Sequence, residues 1–470
     1  MGQIKSFLIK VSYSIGANLL SLGVSVLTTL LVPKFLGKEF AQYGYLQIYL
    51  FYCGYLGFFH FGLCDGVFLR YGGKLYKDLD KPMLSSQFWL LVKFEIILSA
   101  IIVICMNFFT NDSNYRFIII MLTGNLTIFL PRTLLQNYLQ TTNRIKEYAS
   151  ITTAGRTIYG ILIVVIVAFL SISFKWFVIA DLVGKSIALG IGIWWCRDIV
   201  FCMPVKPKIA LAEMWDNVSV GSKLMFANIA GLLITGIVQW GIQLRWDASV
   251  YGKIAFTLNI SNLLITFISA VSLVLYPTLR RTSIEKLPKL YGVMRNSLMF
   301  LLLGCLILYY PVRVLLSAWL PQYAESMSYM AILFPLCIYA AKMTLLVQTY
   351  MNVYRMEKQI MKINLIGVGV AISTTVISVL IMENLTLAMI SIVVNQIFRC
   401  VFAENVLAKQ IHISVNRDII LEVFLTVVFI VVSWWIGGWV GVLLYAFAYL
   451  SYMFIKKGEI KEVLMKIFKR

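Results

Sequence analysis

Charged residues are scarce in this sequence of 470 residues. Asp, Glu, Lys and Arg together make up 13% of it, and 60% of the residues are hydrophobic. An ordinary soluble domain has about 25% charged and about 45–50% apolar residues, so a water-facing surface cannot hide this excess. The apolar residues form runs of roughly 18–25, the length of helix that crosses about 30 Å of hydrocarbon. The composition therefore excludes a soluble protein and predicts an all-α polytopic membrane protein.

Motifs that would carry nucleotide, redox or metal chemistry are also missing. No GxxxxGK[ST] loop occurs, so ATP does not act on this chain directly. The eight cysteines are scattered without a CxxC pair, a pattern typical of small apolar packing residues rather than of a disulfide framework. His60 and Cys64 lie one helical turn apart, but no third ligand is nearby. We expect neither a metal site nor a cofactor.

Long connecting segments are absent, so no soluble domain is inserted between spans. Hydropathy and turn residues predict about fourteen transmembrane helices. Their approximate bounds are 8–32, 40–62, 84–108, 115–139, 149–170, 174–195, 219–244, 251–278, 290–311, 325–350, 361–382, 385–404, 418–434 and 438–455.

The basic residues of the connectors are strongly segregated. One set of span ends carries 26 Lys and Arg, whereas the other carries only Lys34, Lys38, Arg116, Lys175, Arg245 and Arg313. The positive-inside rule places the basic set in the cytoplasm, which predicts a bacterial inner-membrane protein with both termini cytoplasmic. The same rule and anionic lipids account for the net charge of +20 without a nucleic-acid partner.

Two short segments recur in the second half of the chain. The segment 39–44 (EFAQYG) aligns with 247–252 (DASVYG), and 136–140 (QNYLQ) aligns with 348–352 (QTYMN), at offsets of 208 and 212 residues. Parallel repeats of this kind are a known transporter plan, with substrate bound between the halves. The repeat predicts an N-terminal six-helix lobe (1–200), a C-terminal six-helix lobe (210–410), two extra transmembrane helices (418–456) and a basic cytoplasmic tail (457–470).

Three short motifs carry a resemblance to a known family. They are 16–18 (GAN), 32–39 (VPKFLGKE) leading to Tyr43-Gly44, and 61–66 (FGLCDG) running to Arg70. With these motifs the chain resembles the polysaccharide-transport branch of the multidrug/oligosaccharidyl-lipid/polysaccharide (MOP) exporter superfamily, in particular the Wzx-type O-antigen flippases. The resemblance implies two MATE-like lobes around a central cavity that opens alternately to either side. The implied cargo is an undecaprenyl-pyrophosphate-linked oligosaccharide, with membrane lipids and other polysaccharide-assembly proteins as partners. Many relatives are counted with twelve spans, so the last two helices depart from that pattern.

Ionisable groups inside the spans are the candidate functional residues, because burying them is unfavourable without a cavity or a partner. Near helix ends, Lys223, Lys253, Arg156 and Arg295 are expected to reach the headgroups. The deeper cations are Lys93, Arg132, Lys185, Lys342 and Arg399. The only acids expected at comparable depth are Glu95 and Asp181, and Asp181 lies one turn from Lys185, where the two can pair.

An excess of cations favours an anionic cargo. The guanidinium fork of arginine suits phosphate, and lysine acts as a mobile point charge. A pyrophosphate headgroup fits such a field, whereas a cationic drug does not. We therefore expect a flippase that moves the lipid-linked sugar from the cytoplasmic to the periplasmic leaflet, with a MATE-type cation-coupled exporter as one alternative. A membrane-embedded glycosyltransferase or polymerase is another, but it should show acidic catalytic residues and a large outer loop.

Polar residues complete the candidate site. Asn18, Gln239, Gln243, Asn259 and Asn262 lie in spans that the resemblance places at the cavity, either to contact sugar or to hydrogen-bond between helices. Glu95 and Asp181 are candidates for coupling transport to H⁺ or Na⁺, although a structural salt bridge explains Asp181 equally well.

Overall fold

A computed structural model describes residues 2–37, 39–170, 173–280, 284–324 and 326–459. Within these ranges, the side chains of 2–15, 17–19, 107–109, 264, 266–278, 280 and 284 lie outside the description. All regular secondary structure in the described ranges is helical. The fold class predicted from composition is confirmed.

The helices follow one another with short connections. The α-helices are α1 (Gly2–Leu36), α2 (Phe40–Cys53), α3 (Leu63–Tyr71), α4 (Lys81–Phe109), α5 (Ser113–Thr141), α6 (Ile145–Phe169), α7 (Phe174–Trp195), α8 (Arg197–Val200), α9 (Pro207–Arg245), α10 (Ala248–Arg280), α11 (Leu287–Cys305), α12 (Tyr309–Trp319), α13 (Ser326–Leu333), α14 (Leu336–Ala341), α15 (Gln348–Val353), α16 (Glu357–Thr375), α17 (Leu385–Gln410), α18 (Asn416–Val431) and α19 (Gly438–Ile455). Short 3₁₀ segments lie at Leu56–His60, Tyr76–Asp78, Ile284–Lys286, Leu306–Leu308 and Pro321–Tyr323, and π-helical segments at Lys342–Val347, Val376–Ile381 and Val432–Ile436.

Each predicted span overlaps a helical stretch of the structure, and several of these stretches consist of more than one helical segment. By length and composition, eleven segments of the described chain are able to cross a membrane, or twelve when one bent pair is counted as a single span. Helices α1 and α10, of 35 and 33 residues, are the two further segments that fourteen spans would require. The chain is therefore a multi-pass membrane protein, and the number fourteen is an approximation.

Polar side chains at the turns begin several of these helices. Asp80 accepts a hydrogen bond from the backbone N–H of Met83, and Asp112 accepts from Asn114 and Tyr115. Ser173 and Asn384 cap α7 and α17 in the same way. These contacts satisfy N–H groups that the first helical turn leaves without a partner, which explains why the spans begin where the sequence changes from polar to apolar.

The chain forms two compact units, Met1–Ile229 and Ala230–Arg470. The boundary falls inside the 39-residue helix α9, whereas the expected lobes meet in the connector before it. The first half of α9 therefore packs within the first unit and its second half within the second unit.

In the first unit the second span is broken. Phe61 and Gly62 adopt left-handed backbone conformations with φ of 51° and 92°, and the segments Phe40–His60 and Leu63–Tyr71 meet at 60°. The backbone of α3 then lies directly on that of α9, because a Cβ atom built on Gly221 would lie 2.0 Å from the carbonyl oxygen of Gly62. Glycine is required here by the close approach of two backbones.

One span of the second unit consists of α13, α14, α15 and the π-helical segment Lys342–Val347. This span is central, since 89% of its most apolar stretch is buried. Pro335 separates α13 from α14, as expected for a residue without a backbone N–H. The second half of α9 packs on α16, where a Cβ atom on Gly241 would lie 2.6 Å from Thr375 Cγ2.

Candidate functional site

Asp181 and Lys185 of α7 form a buried ion pair in the first unit. Lys185 Nζ lies 2.6 Å from Asp181 Oδ2, and the hydroxyl of Tyr49 donates a hydrogen bond of 2.9 Å to the same oxygen. The Asn125 amide donates in turn to the Tyr49 hydroxyl at 3.0 Å. The pairing expected from the four-residue spacing is confirmed, and the charge of Lys185 is neutralised locally.

Close packing of α6 and α7 positions this pair. A Cβ atom on Gly184 would lie 2.8 Å from the carbonyl oxygen of Gly155, so both positions require glycine for the helices to approach. Small residues that allow such contacts are typical of helix pairs in membranes. The pair of Asp181 and Lys185 therefore lies on a helix that packs closely against its neighbour.

Arg132 of α5 lacks a carboxylate partner. It forms no ion pair with any described residue, and its Nε atom is buried without a hydrogen-bond partner. The guanidinium carbon lies 5.1 Å from the ring centroid of Phe129. The charges that act on it electrostatically are Arg156 and Asp181, and Asp181 is already bound to Lys185. Arg132 is therefore a half-buried cation whose positive charge is not neutralised by an ion pair with any described residue.

Lys93 and Glu95 lie two residues apart on α4 and point in different directions. Lys93 is exposed on the surface of the first unit. Glu95 is 0% exposed, and neither of its carboxyl oxygens has a hydrogen-bond partner in the described part of the chain. The two candidates therefore do not pair.

A dense cluster of opposite charges lies in the second unit. Arg295 of α11 is 2% exposed; its Nε lies 2.7 Å from Glu404 Oε1 and its Nη2 lies 2.8 Å from Glu422 Oε1. Lys342 Nζ lies 2.5 Å from Glu404 Oε2 and 2.7 Å from Glu422 Oε2. The cluster joins four helical segments, and α18 supplies Glu422 to it.

The cluster extends toward the end of the last helix. Asp418 Oδ2 lies 3.1 Å from Arg295 Nη1, and Asp418 Oδ1 lies 2.8 Å from Lys456 Nζ. Three cations (Arg295, Lys342, Lys456) thus meet three carboxylates (Glu404, Asp418, Glu422), and Lys456 also pairs with the exposed Glu459 at 2.8 Å. Removing one member would leave an opposite charge buried without a partner, which is strongly destabilising. The α18–α19 hairpin is therefore electrostatically part of the second unit.

Two expectations from the sequence are corrected by this cluster. Arg295 does not reach toward headgroups but binds three carboxylates. Lys342 does have acidic partners, because it forms ion pairs with Glu404 and Glu422. These two acids are 0% and 1% exposed, so they are as fully buried as Lys342 itself. Glu404 and Glu422 each lie within about two turns of a helix end, where a charged side chain is ordinarily expected to reach the headgroups.

Arg399 of α17 is a half-buried cation that forms no ion pair with a described residue. Its Nε donates a hydrogen bond of 2.9 Å to Asn364 Oδ1, and no described carboxylate lies within ion-pair distance. Its Nη2 rests on the backbone of α9, since a Cβ atom on Gly231 would lie 2.9 Å from it. The guanidinium is thus positioned by an amide and a glycine, and its positive charge is not neutralised.

The polar candidates give a mixed outcome. Asn18 lies where side chains are not described. Gln239 accepts a hydrogen bond of 3.3 Å from the hydroxyl of Tyr251, and Gln243 Nε2 is buried without a partner among the described residues. Asn259 is half-buried and Asn262 exposed, and both take part in interactions. Among the described residues, no group of three His, Cys, Asp or Glu side chains is placed to hold a metal ion.

The two units and their membrane-length helices define the class of protein: an all-α, multi-pass membrane protein. No protein-family model matches the sequence, and no curated protein matches it either. Among solved structures, the chain is similar to the lipid II flippase MurJ in an inward closed conformation, with a TM-score of 0.67 over 98% of this chain and 100% of that one, at 10% identity.

Multidrug transporters share the same fold. An inward-facing MATE family transporter of the MOP superfamily gives a TM-score of 0.62 over 84% of this chain and 98% of that one, at 10% identity. The eukaryotic MATE transporter AtDTX14 gives a TM-score of 0.50 over 85% of this chain and 95% of that one, at 14% identity. The chain therefore has the fold of MurJ and the MATE transporters, in agreement with the fold expected from the motifs.

Proposed function

We propose that this protein is a flippase. It moves an undecaprenyl-pyrophosphate-linked oligosaccharide, an O-antigen or related polysaccharide repeat unit, from the cytoplasmic to the periplasmic leaflet by alternating access. The observation that carries the proposal is that, among the described residues, each unit holds a half-buried arginine that lies more than two turns inside a membrane-length helix and has no carboxylate partner. These residues are Arg132 in the first unit and Arg399 in the second.

Unpaired cations within membrane-spanning helices are unfavourable unless an anion or water compensates them. The arginines are not equivalent to the buried cations Lys185, Arg295 and Lys342, which the chain neutralises with its own acids. A pyrophosphate offers several oxygens to the guanidinium fork. The proposed cargo therefore supplies the negative charge that these two sites lack.

The structural likeness supports this choice at the level of the fold. One solved structure that is similar to 98% of this chain is that of a lipid II flippase. The segregation of Lys and Arg supports an inner-membrane location with cytoplasmic termini. The partners on this proposal are the lipid-linked sugar, membrane lipids and proteins that assemble polysaccharide.

A cation-coupled small-molecule exporter is the second candidate. The MATE likeness and the unpartnered carboxyl of Glu95 favour it, because a site for cationic drugs needs unpaired carboxylates. However, an ionised carboxylate without a partner in apolar surroundings is too unfavourable to persist. Glu95 is therefore a neutral group in this conformation and does not supply an anionic site.

The test is complementation of a strain that lacks the gene. Wild-type protein should restore surface polysaccharide, and Arg132→Ala and Arg399→Ala should reduce it while the protein remains in the membrane at normal levels. Wild-type polysaccharide in both variants would contradict the proposal. Changed drug susceptibility of the deletion strain, with unchanged polysaccharide, would support the exporter. Polymer formation by purified protein from a lipid-linked repeat unit would indicate a polymerase.

A further inference from the structure

The end of α7 marks the inner boundary of the membrane in the first unit. This helix has 22 residues and is therefore about 33 Å long, which matches about 30 Å of hydrocarbon. The positive-inside rule places its last residues on the cytoplasmic side. Trp194 is 65% exposed there, and the guanidinium carbon of Arg197 lies 5.4 Å from its ring centroid. An exposed tryptophan beside an arginine is typical of the headgroup level.

The connector that follows α7 is fixed at this level by α4. The indole N–H of Trp89 donates a hydrogen bond of 2.9 Å to the carbonyl oxygen of Val200. The hydroxyl of Ser86 accepts a hydrogen bond of 2.8 Å from the backbone N–H of Val205. Trp89 is itself 41% exposed, as expected for a residue at the membrane boundary. The connector therefore runs along this boundary on the surface of α4.

Apolar side chains of the connector and of the start of α9 point away from the protein. Phe201 is 74% exposed and Met203 is 87% exposed, although the preceding Val200 is buried. In α9, Ile209 and Leu211 are each 54% exposed. Exposure of this surface to water would be unfavourable, whereas side chains at the membrane boundary can enter the layer between headgroups and acyl chains.

Basic side chains alternate with these apolar ones. Arg197, Lys206 and Lys208 are exposed, and none of the three forms an ion pair with a described residue. The only acid in the sequence from 194 to 211 is Asp198, which already binds Lys81 Nζ at 2.8 Å. The three exposed cations are therefore available to an anion outside the protein.

We propose that residues 194–211, here called the inner collar, form a binding site for the headgroup of an anionic phospholipid of the cytoplasmic leaflet. The three cations bind the headgroup phosphate, and the exposed apolar side chains enter the acyl boundary beside it. Lysine and arginine interleaved with Trp, Phe and Leu are the chemistry by which protein segments bind an anionic membrane surface. The proposal goes beyond the proposed function, because it holds whatever cargo the protein moves.

A phospholipid fits the inner collar better than a cytoplasmic protein does. The core of a protein–protein interface is depleted in charged residues, and lysine is depleted across the interface. The inner collar instead places Lys206 and Lys208 next to Phe201 and Met203 in the sequence. A partner protein would also have to displace lipid from side chains that lie at the headgroup level.

Photolabelling locates the lipid and needs no cargo. Wild-type protein in nanodiscs of phosphatidylcholine receives a trace of phosphatidylglycerol that carries a photoreactive headgroup, and mass spectrometry maps the adduct. We expect adducts within 194–211 that unlabelled phosphatidylglycerol displaces and additional phosphatidylcholine does not. A wild-type map without an adduct in this range overturns the proposal, and so does equal displacement by the two lipids.

The double variant Lys206→Gln with Lys208→Gln tests the charges. Each cation near an anionic surface strengthens association about fivefold, so the adduct yield should fall about 25-fold. Lys74→Gln with Lys77→Gln is the matched control, because it removes the same charge from exposed residues of the first unit. The control should keep the wild-type yield. An equal fall in both double variants would show that net charge alone attracts the lipid, and would overturn a specific site.

Further arms separate the alternative occupants. Excess inorganic pyrophosphate at constant ionic strength should leave the adduct unchanged, and displacement would assign the inner collar to a soluble anion. Undecaprenyl pyrophosphate should displace the label no better than phosphatidylglycerol does, and stronger displacement would assign the inner collar to the cargo. A photoreactive amino acid at position 201 should give no protein adduct in cells, and a larger band on an immunoblot would indicate a partner protein. Each of these three results would overturn the phospholipid site.

Discussion

Arg399 Nε donates a hydrogen bond of 2.9 Å to Asn364 Oδ1, and this amide is the polar partner that holds the guanidinium in place. The Nη2 atom of the fork lies close to Gly231, where α9 has no side chain. An arginine held by a neutral group keeps its full charge, whereas one held by a carboxylate does not. The arrangement orients the guanidinium and leaves it available to an anion.

Replacing Arg399 tests this availability. Arg399→Ala should lower the amount of surface polysaccharide about tenfold or more, because a hydrogen bond to a charged group contributes about 1.5–3 kcal/mol. Arg399→Lys should retain part of the activity, since it keeps the charge but not the fork. Both are measured by complementation of a deletion strain and normalised to protein in the membrane.

The matched control is Arg245→Ala. Arg245 forms an exposed ion pair with Glu383 in the same unit, and exposed pairs contribute little to stability. Its replacement should leave polysaccharide near the wild-type amount. An equal loss of polysaccharide in Arg245→Ala and Arg399→Ala would show that removing any positive charge from this unit lowers transport. The effect would then not be specific to the Arg399 site.

Gly231→Ala tests the positioning of the same guanidinium. The new Cβ atom would lie 2.9 Å from Arg399 Nη2, so the flexible end of the arginine must move. We expect a several-fold loss of polysaccharide with little change in thermal stability. Gly369→Ala on α16 is the control, because nothing lies within 4 Å of its Cβ position. Equal activity in the two variants would contradict a role for the arginine's position.

The buried cluster should respond to mutation in a different way. Lys342→Met leaves Glu404 and Glu422 short of a counter-charge, and breaking a buried pair costs about 3–5 kcal/mol. We expect a large fall in thermal stability, measured by size-exclusion chromatography of heated protein. The double variant Lys342→Met with Glu422→Gln should recover part of that loss, because it removes one charge of each sign.

A simple sum of the two single effects would contradict the proposed coupling within the cluster. Lys93→Met is the control, since Lys93 is exposed and forms no ion pair with a described residue. The result also bears on the sequence-based expectation that Lys342 contacts cargo, because the structure gives Lys342 two acidic partners of its own.

The helices were predictable from the sequence because their signals are local. Apolar length and the segregation of Lys and Arg located the long helical segments, including the last two, but not the short helices α3 and α8. The break at Phe61 and Gly62 was not predicted, because it depends on the contact of α3 with Gly221 of α9, more than 150 residues away. The extension of α9 into the first unit has the same origin.

The charge partners were predictable only when they were close in sequence. The pair of Asp181 and Lys185 follows from one helical turn. The pairing of Lys342 with Glu422 could not be predicted in this way, because Glu422 is 80 residues away and belongs to a helix outside the repeat. A cation that lacks a neighbour in sequence can therefore have one in space, and only a structure separates Arg399 from Lys342.

Deleting the last two helices tests their place in the second unit. A chain that ends after Gln410 lacks Asp418 and Glu422, so Arg295 and Lys342 keep only Glu404 as an acidic partner. We expect the truncated protein to be degraded and not to accumulate in the membrane, as measured by immunoblotting. A chain that ends after Ile455 is not a suitable control, because it loses Lys456 from the same cluster. Normal accumulation of the truncated protein would contradict the structural role of the hairpin.

The contact of α3 with α9 should depend on its glycines. In Gly221→Ala the added Cβ atom would lie 2.0 Å from the carbonyl oxygen of Gly62 and 2.2 Å from the backbone nitrogen of Gly66. Backbone atoms cannot rotate away as a side chain does, so the two helices must separate. Overpacking of this kind costs about 1–3 kcal/mol, and thermal stability in detergent should fall accordingly. Gly190→Ala on α7 is the control, because its Cβ position is open, and an equal fall in both variants would contradict a specific contact between α3 and α9.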